Sequence, residues 1–571
     1  MPDGTREYES AYFRPSAATL YYPHLTIAAD VDLHNRDELL EALGISGSQA
    51  ASMGDRDLLL AAYAKWEEKC VDFLLGEFAF AIWDDRLKRL FCCRDHCGFR
   101  AFLYYHEQGR FVFASDIEPI LACPGVPRKL NRRKLAALNV PAGHQRFHRE
   151  TFHEGILSLP AAAWMTVERD RIRRQSYWVP DLKAHFIPRR PEEAFEALRE
   201  VLFRAVECRI SDDYPVAAML SGGLDSSTVT AIAARCLEKR NRQMTALAAV
   251  LPKDGPPQLA DERNYIDEFR AWPNVHIEYV TAPGRGPFDF LDTPHRFYAS
   301  PMLSSTVYLY QECDRIARSL GARVVLGGEG GELGVSAWSE RYYIELAFGF
   351  RWFTLGRELV KLRSVRSVSP IRFFGGELLR VLSPPRRREP YALLTPEFLR
   401  EFQTRRRWSI NSPNQRRHHA ELLRLWLGKH ANGRGQTAFD LLPHSFPLLD
   451  KRVLEFCLSL PASLNVQDGY QRYMVRKAME GVLPKRIQWR TGKTPFSPDY
   501  FVRFNSQLGM ARDFVASIGK SDPVRSVVDV GLLARLLHPV DPLTGSQDAR
   551  SRIPITIYTI NFLRQFAEFQ R

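Results

Sequence analysis

The stretch from Val216 to Glu238 limits the fold of this chain more than any other. Val216-Ala217-Ala218-Met219-Leu220 is an apolar run with the length and composition of a buried parallel strand. It runs into Ser221-Gly222-Gly223-Leu224-Asp225-Ser226-Ser227, and Thr228 to Glu238 follows as a helix-forming stretch. A strand, a glycine turn and a helix N-terminus gather several backbone N–H groups around one anion-sized space. Gly222 and Gly223 permit close backbone approach, Ser221, Ser226 and Ser227 add hydroxyl donors, and Asp225 is suited to hold a magnesium ion. No Gly-Lys-Ser/Thr closes the turn, so it is not the phosphate loop of kinases and ATPases.

The chain has 571 residues, room for about two to four domains, and large α/β units favour two. With 45% hydrophobic residues it can bury full cores, which excludes global disorder. No apolar run is long enough to span a bilayer, and the N-terminus MPDGTREYES lacks the pattern of a signal peptide. The expectation is a cytoplasmic protein without a membrane span. Nine cysteines are scattered through apolar segments, and Cys92, Cys93 and Cys97 have no His/Cys pair answering them at zinc spacing. They read as buried, reduced thiols. The net charge of +13 is concentrated in Arg386-Arg387-Arg388, Arg405-Arg406-Arg407 and Arg416-Arg417. These runs lack the aromatic interleaving of an RNA-binding surface, which argues against nucleic acid and leaves solubility or an acidic partner.

Two parts are visible. Residues 1–180 alternate short β-rich runs (Leu20–Ala28, Phe78–Trp83, Arg89–Cys93, Phe111–Ala114, Trp164–Val167) with helical patches at Arg36–Leu43 and Asp57–Trp66, which predicts a layered α+β domain. Tyr177-Trp178-Val179-Pro180 and Pro188-Arg189-Arg190-Pro191 read as the linker. In residues 181–571, a helix over 192–209 precedes strands at 216–220, 244–251, 277–281 and 323–327 with helices between. That alternation predicts a doubly wound parallel sheet, followed by mostly helical additions from about 340.

The Ser221–Ser227 string resembles the pyrophosphate loop of the N-type ATP pyrophosphatases, which split ATP into AMP and pyrophosphate while activating a carboxyl or carbonyl group. With that loop in the second part, the first part resembles the glutaminase domain of asparagine synthetase B-type enzymes. The matching segments are Gly76-Glu77-Phe78-Ala79-Phe80-Ala81-Ile82-Trp83-Asp84, Cys93-Arg94-Asp95-His96-Cys97-Gly98-Phe99 and Phe113-Ala114-Ser115-Asp116. Gly328-Glu329-Gly330-Gly331-Glu332 resembles the second phosphate/metal loop of the synthetase domain. Pro447-Leu448-Leu449-Asp450-Lys451-Arg452, the segment from Arg472 to Arg476, and Arg490-Thr491-Gly492-Lys493 complete the family's order.

The departures then narrow the reading. Glutaminases of this type use the thiol of an N-terminal cysteine, with the free α-amine as its base. Here position 2 is Pro2, and Ala28-Ala29-Asp30-Val31-Asp32 stands where the family has its glutamine-holding Asn-Gly-Glu. The first domain is therefore expected to keep its scaffold without glutaminase activity. Two subfamilies resemble such an arrangement: β-lactam and carbapenam synthetases, and the lasso-peptide macrolactam synthetases (cyclases), which join a peptide's N-terminal amine to an Asp or Glu side chain. The β-lactam enzymes resemble a Tyr–Glu base arrangement whose Glu falls at position 443, which here is Pro443, followed by His444 and Ser445. A peptide α-amine, with a pKa of about 8, needs less help losing a proton than an amide nitrogen does. The Arg- and aromatic-rich segment from 340 to 432 also suits a peptide better than a small molecule. The macrolactam reading is favoured. A small-molecule amide ligase (β-lactam-type, or an asparagine synthetase using ammonia) and a non-enzymatic nucleotide-binding relative are the competitors.

The resemblance implies ATP and Mg2+ as co-reactants, a precursor peptide as substrate, and a leader-binding or protease partner protein. It implies that Ser221, Gly222, Gly223, Ser226 and Ser227 cradle pyrophosphate, while Leu220, Val250 and Gly328 hold adenine and ribose by position. Asp225 is the first metal candidate and Glu332 the second, with Glu329 able to substitute. Lys493 matches the family's catalytic lysine and Arg472 a phosphate-contacting lysine. Asp450 and Arg452 read as structural, His444 as a satisfied loop histidine, and Asp261-Glu262 as a helix N-cap with a substrate or ATP contact as the alternative.

Overall fold

The computed structural model describes residues 22–569 apart from 108, 138–148, 170, 181–187, 254, 292–299, 302–303, 383–391, 402–411, 430–441, 493 and 546. The described residues divide into two compact units. One is drawn from residues 1–134, 144–179 and 425–436, the other from 135–143, 180–424 and 437–571.

The first unit holds strands β1 (Leu25–Leu33), β2 (Gly76–Asp84), β3 (Arg89–Arg94), β4 (Leu103–Glu107), β5 (Arg110–Ala114), β6 (Ile156–Ser158), β7 (Ala163–Glu168) and β8 (Arg171–Ser176). They form two antiparallel sheets, ordered β1-β2-β3-β7-β8 and β5-β4-β6. Alternation along β2 explains the layers. Phe78, Phe80 and Ile82 point to one face and pack on Leu58 and Tyr63, while Ala79 and Ala81 point to the other and meet Phe102, Tyr104 and Met165. Helices α1 (Arg36–Leu43) and α2 (Asp55–Trp66) cover the first face, and the small sheet covers the second. Cys92 and Cys93 take opposite faces of β3, and burial pushes both thiols well above their usual range. The Arg94–Gly98 turn is a structural knot. Asp95 accepts from the N–H groups of Cys97, Phe99 and Arg100, and the buried Arg94 guanidinium donates to the carbonyls of Gly98, Arg100 and Leu159.

Two details differ from the sequence expectation. β1 lies five residues beyond Leu20–Ala28, because its nine-residue register with β2 runs from Leu25 opposite Asp84 to Leu33 opposite Gly76. β8, Arg-Ile-Arg-Arg-Gln-Ser, carries almost no apolar signal because it is a largely exposed strand at the end of its sheet.

The second unit contains a parallel sheet of β9 (Val216–Met219), β10 (Met244–Ala249), β11 (Val275–Val280), β12 (Val325–Leu326) and β13 (His444–Ser445), in the order β11-β10-β9-β12-β13. Helices α3 (Pro191–Glu207) and α4 (Leu224–Glu238) pack on one face, and α5 (Val307–Ser319) packs on the other through Cys313 and Ala317 against Ala217, Leu247 and Val325. Strand order reverses between β9 and β12, so their carboxyl ends open a crevice of the kind in which doubly wound sheets bind ligands. β12 is shorter than 323–327, although the Gly327 N–H still donates to the Ser445 carbonyl of β13 (2.9 Å). The additions include α6 (Glu340–Phe348), α7 (Trp352–Arg366), α8 (Pro370–Leu382), α9 (Gln415–Lys429), α10 (Lys451–Ser459) and α11 (Tyr473–Ala478). Among the described residues no helix is long and apolar enough to cross a membrane.

Candidate active site at the reversal of strand order

Leu220, the residue after β9, donates to the Leu247 carbonyl, which holds the following turn at the carboxyl end of the sheet (2.9 Å). Val250 does the same beyond β10, donating to Val280 (3.0 Å). Ser226 closes the turn from inside: its hydroxyl lies 3.1 Å from the Ser221 N–H and 2.8 Å from the Ser221 hydroxyl. Gly222 has φ +65°, and a Cβ there would stand 2.8 Å from Tyr265 Cβ and 3.0 Å from Glu262 Oε2. Gly223 is the N-cap of α4, so the first N–H groups of a 15-residue helix face the turn without a side chain in the way.

Gly328 and Gly331 bring the second loop onto the first. A Cβ on Gly328 would lie 2.4 Å from the Ser226 nitrogen, and one on Gly331 would lie 2.5 Å from Asp225 Oδ1. Leu448 and Leu449, in the Pro447–Leu449 turn, press on Gly331 and Gly330 from the far side. Three sequence motifs thus converge. Asp450 caps α10 and is gripped by Arg209 (2.9 Å) and Arg452 (3.0 Å), contacts that anchor the Pro447–Leu449 turn to α10. His444 stands on β13 rather than in a loop, and its Nε2 meets the buried Asp314 at 2.9 Å.

The polar atoms of this crevice are poised for a ligand. Asp225 Oδ1 and Ser227 Oγ are buried with no hydrogen-bond partner among the described residues, a costly state inside a protein. Asp225 occupies the first turn of α4, where the helix dipole favours its negative charge. Glu329 and Glu332 are both exposed on the second loop, and the Tyr310 hydroxyl donates to Glu329 (3.2 Å). Arg472 sits at the N-cap of α11 with φ +59°, an uncommon conformation for a side-chain-bearing residue. Its guanidinium lies 3.9 Å above the Trp338 ring, and its buried Nε has no partner. Arg366 stacks on the same indole at 4.8 Å. Arg476 is buried beneath, donating to the carbonyls of Gln471, Gln488 and Arg490; burial, and next the Arg472 charge, push it down to about 10, while Asp225 pulls the other way. An orphaned carboxylate, an orphaned hydroxyl, helix N–H groups and an underused guanidinium fit a polyphosphate with a divalent cation. Asp225, with Glu332 or Glu329, would hold that cation.

A family model described as "Asparagine synthase" matches residues 197–560. The chain belongs to the asparagine synthase family. A "Glutamine amidotransferase domain" model matches residues 21–178, so the first unit is of the glutamine amidotransferase type. Asparagine synthetase [glutamine-hydrolyzing] 3 of Bacillus subtilis is 26% identical over 85% of this chain and 77% of its own length. A putative asparagine synthetase [glutamine-hydrolyzing] of Mycobacterium tuberculosis H37Rv is 24% identical over 91% and 81%. A putative asparagine synthetase 2 of Methanocaldococcus jannaschii is 26% identical over 54% and 58%.

Within this asparagine synthase domain the structure brings together Leu220, Ser221, Gly222, Gly223, Asp225, Ser226, Ser227 and Gly328; Val250 directly follows the neighbouring strand β10. Lys493 lies outside the described residues. Two contacts at this site escaped sequence reasoning. Asp261-Glu262 does begin the short helix Arg263–Ile266, the Asp261 carboxylate accepting from the Arg263 N–H (2.9 Å), and the Glu262 carboxylate is in addition held by both terminal nitrogens of Arg490 (Nη2–Oε1 2.6 Å), which also donates to the Gly222 carbonyl at 3.1 Å. Trp338, the platform for Arg472, has no signal in its own neighbourhood; the partner residue is 134 positions further along the chain.

Proposed function

We propose that this member of the asparagine synthase family is an ATP-dependent, AMP-forming ligase that closes a macrolactam in a ribosomal peptide. An Asp or Glu carboxylate oxygen attacks the α-phosphorus of ATP, and the bond to pyrophosphate breaks. The peptide's N-terminal amine then attacks the acyl carbon, loses its proton, and AMP departs. Magnesium, when bound, neutralises charge on the leaving pyrophosphate. The Ser221–Ser227 turn and the α4 N–H groups hold the phosphates, Arg472 adds a cation on its Trp338 platform, and Lys493 is assigned the charge developing at the reacting centre. The observation that carries the peptide reading is at the end of β13. Pro443 stands where an amide-nitrogen ligase needs a carboxylate, and the adjacent His444 is engaged by Asp314. A precursor peptide and a leader-binding or protease partner belong to this reading.

The names of the relatives favour a second reading, formation of a small amide such as asparagine. We infer no glutaminase activity in either case. Cys70, Cys92, Cys93 and Cys97 are all buried away from substrate, and burial raises the thiols of the first three, so those three present no thiolate. Ala28–Asp32 is built into β1, and Asp30 is engaged by Arg100 (3.4 Å). The deciding experiment incubates the protein with ATP, magnesium and a candidate core peptide, and in parallel with aspartate plus ammonium or glutamine. Loss of one water from the peptide with matching AMP supports the macrolactam ligase. AMP formed only with aspartate and ammonium overturns it, and glutamate released from glutamine overturns the glutaminase inference.

A further inference from the structure

Helices α7 and α8, joined by residues 367–369, carry apolar residues on two faces and bury only one of them. Leu355 and Leu362 of α7 pack with Tyr343 and Leu346 of α6, and Phe373 and Phe374 of α8 join the same cluster. At about 100° per residue, Trp352, Phe353 and Val360 share another arc of α7, and Ile371, Leu379 and Leu382 share one arc of α8. All six are exposed, Phe353 and Ile371 to 86% and 84%, and Phe350 in the turn before α7 is 81% exposed. Most exposed large apolar side chains among the described residues fall between Phe348 and Leu382. Such concentration marks an interaction surface rather than ordinary scatter.

Charge says what the surface meets. Between 348 and 382 the chain has Arg351, Arg357, Lys361, Arg363, Arg366, Arg372 and Arg380 against only Glu358 and Glu377. Both glutamates are turned inward. Glu358 is 2% exposed and accepts from the Gly469 N–H (3.3 Å), while Glu377 is 5% exposed and engaged by Arg380. Lys361 is answered by the half-exposed Asp468 and Arg366 is turned onto Trp338, which leaves Arg351, Arg357, Arg363, Arg372 and Arg380 to make the outer face aromatic, aliphatic and cationic. Arginine beside Trp, Phe and Leu on a helical surface is the composition that settles at the boundary between lipid headgroups and acyl chains. The aliphatic stems of the arginines extend the apolar area while their guanidinium groups reach phosphate.

We propose that the outer face of the α7–α8 hairpin docks this protein on an anionic membrane surface. Phe350, Trp352, Phe353 and Ile371 enter the interface, and the arginines pair with headgroup phosphates. The test is sedimentation of the full chain with vesicles of phosphatidylcholine alone, or of about seven parts phosphatidylcholine to three of phosphatidylglycerol. Binding is expected to the anionic vesicles only, and to fall at least about tenfold when salt is raised from about 0.05 to 0.5 M. Replacing Phe350, Trp352 and Phe353 together by serine is expected to lower it by about tenfold or more, with an unchanged circular dichroism spectrum. Arg357→Gln with Arg372→Gln should remove most of the anionic preference. Equal binding to both vesicle types, or anionic binding untouched by the triple variant, overturns the proposal. So does a chain that ignores vesicles and instead forms a dimer, by light scattering, that the triple variant abolishes.

Discussion

Arg490 and Glu262 form a two-pronged ion pair directly behind Gly222, each side chain only 8% exposed. Arg490 lies 3.9 Å over the Tyr265 ring and donates to the Gly222 carbonyl, so one guanidinium fixes the back of the phosphate turn. Removing one partner leaves the other charge buried and unpaired. Glu262→Ala is expected to lower stability by about 3–5 kcal/mol, read from urea denaturation. Arg490→Lys retains the charge but loses the fork and the stacking. It should cost less stability than Glu262→Ala while raising KM for ATP.

Gly328→Ala tests whether the two loops must touch. The added methyl would meet the Ser226 nitrogen at 2.4 Å, backbone against backbone, where no rotamer can relieve it. ATP-dependent turnover is expected to fall on the order of a hundredfold, or about 3 kcal/mol in barrier. Gly356→Ala is the control. That site in α7 has nothing within 4 Å of the new Cβ, so activity should hold and stability rise by about 0.5–1 kcal/mol.

What sequence could reveal here followed from locality. The Val216–Glu238 unit declares itself because strand, turn and helix adjoin, and β2 does so through Phe78, Phe80 and Ile82 at period two. β13 consists of His444 and Ser445 alone, too short for any periodicity, and becomes a strand only by lying along β12. Arg490 and Glu262 are 228 positions apart, and Trp338 and Arg472 are 134 apart. Nothing local marks these pairs, because the sheet and α11 bring them together only in the folded unit. Glu262 shows both sides: its place at the start of the short helix Arg263–Ile266 is local and legible, and its ion pair is not.

Asp225→Asn should separate stability from activity. The Oδ1 oxygen is buried without a hydrogen-bond partner among the described residues, so the ligand-free protein carries a poorly compensated carboxylate oxygen. Neutralising it is expected to raise stability without ATP by about 1 kcal/mol, seen as a higher Tm by calorimetry. Turnover should nevertheless fall about a hundred- to a thousandfold, the loss expected for removing one preorganised charge. A variant both less stable and fully active would remove Asp225 from the site.

Acid should weaken the platform that carries Arg472. His419 Nε2 lies 3.1 Å from the Trp338 carbonyl, to which Gln415 also donates at 3.0 Å, so α9 holds the backbone whose indole supports Arg472. Burial pushes His419 down to about 4, and burial with the nearby Arg341 charge does the same to His418. The sign follows from the unfolded value of about 6.5, which is higher. The neutral rings favour the folded state above pH of about 6.5, and that stability is lost as pH falls toward 4. At pH 5 the loss from His419 alone is about 2 kcal/mol. Urea midpoints at pH 7.5, 6 and 5 should show the decline, and His419→Gln, which keeps an amide donor, should flatten it. ATP-dependent turnover is expected to fall in the same window in the native protein and less in the variant, because the proton acts on Arg472 only through Trp338.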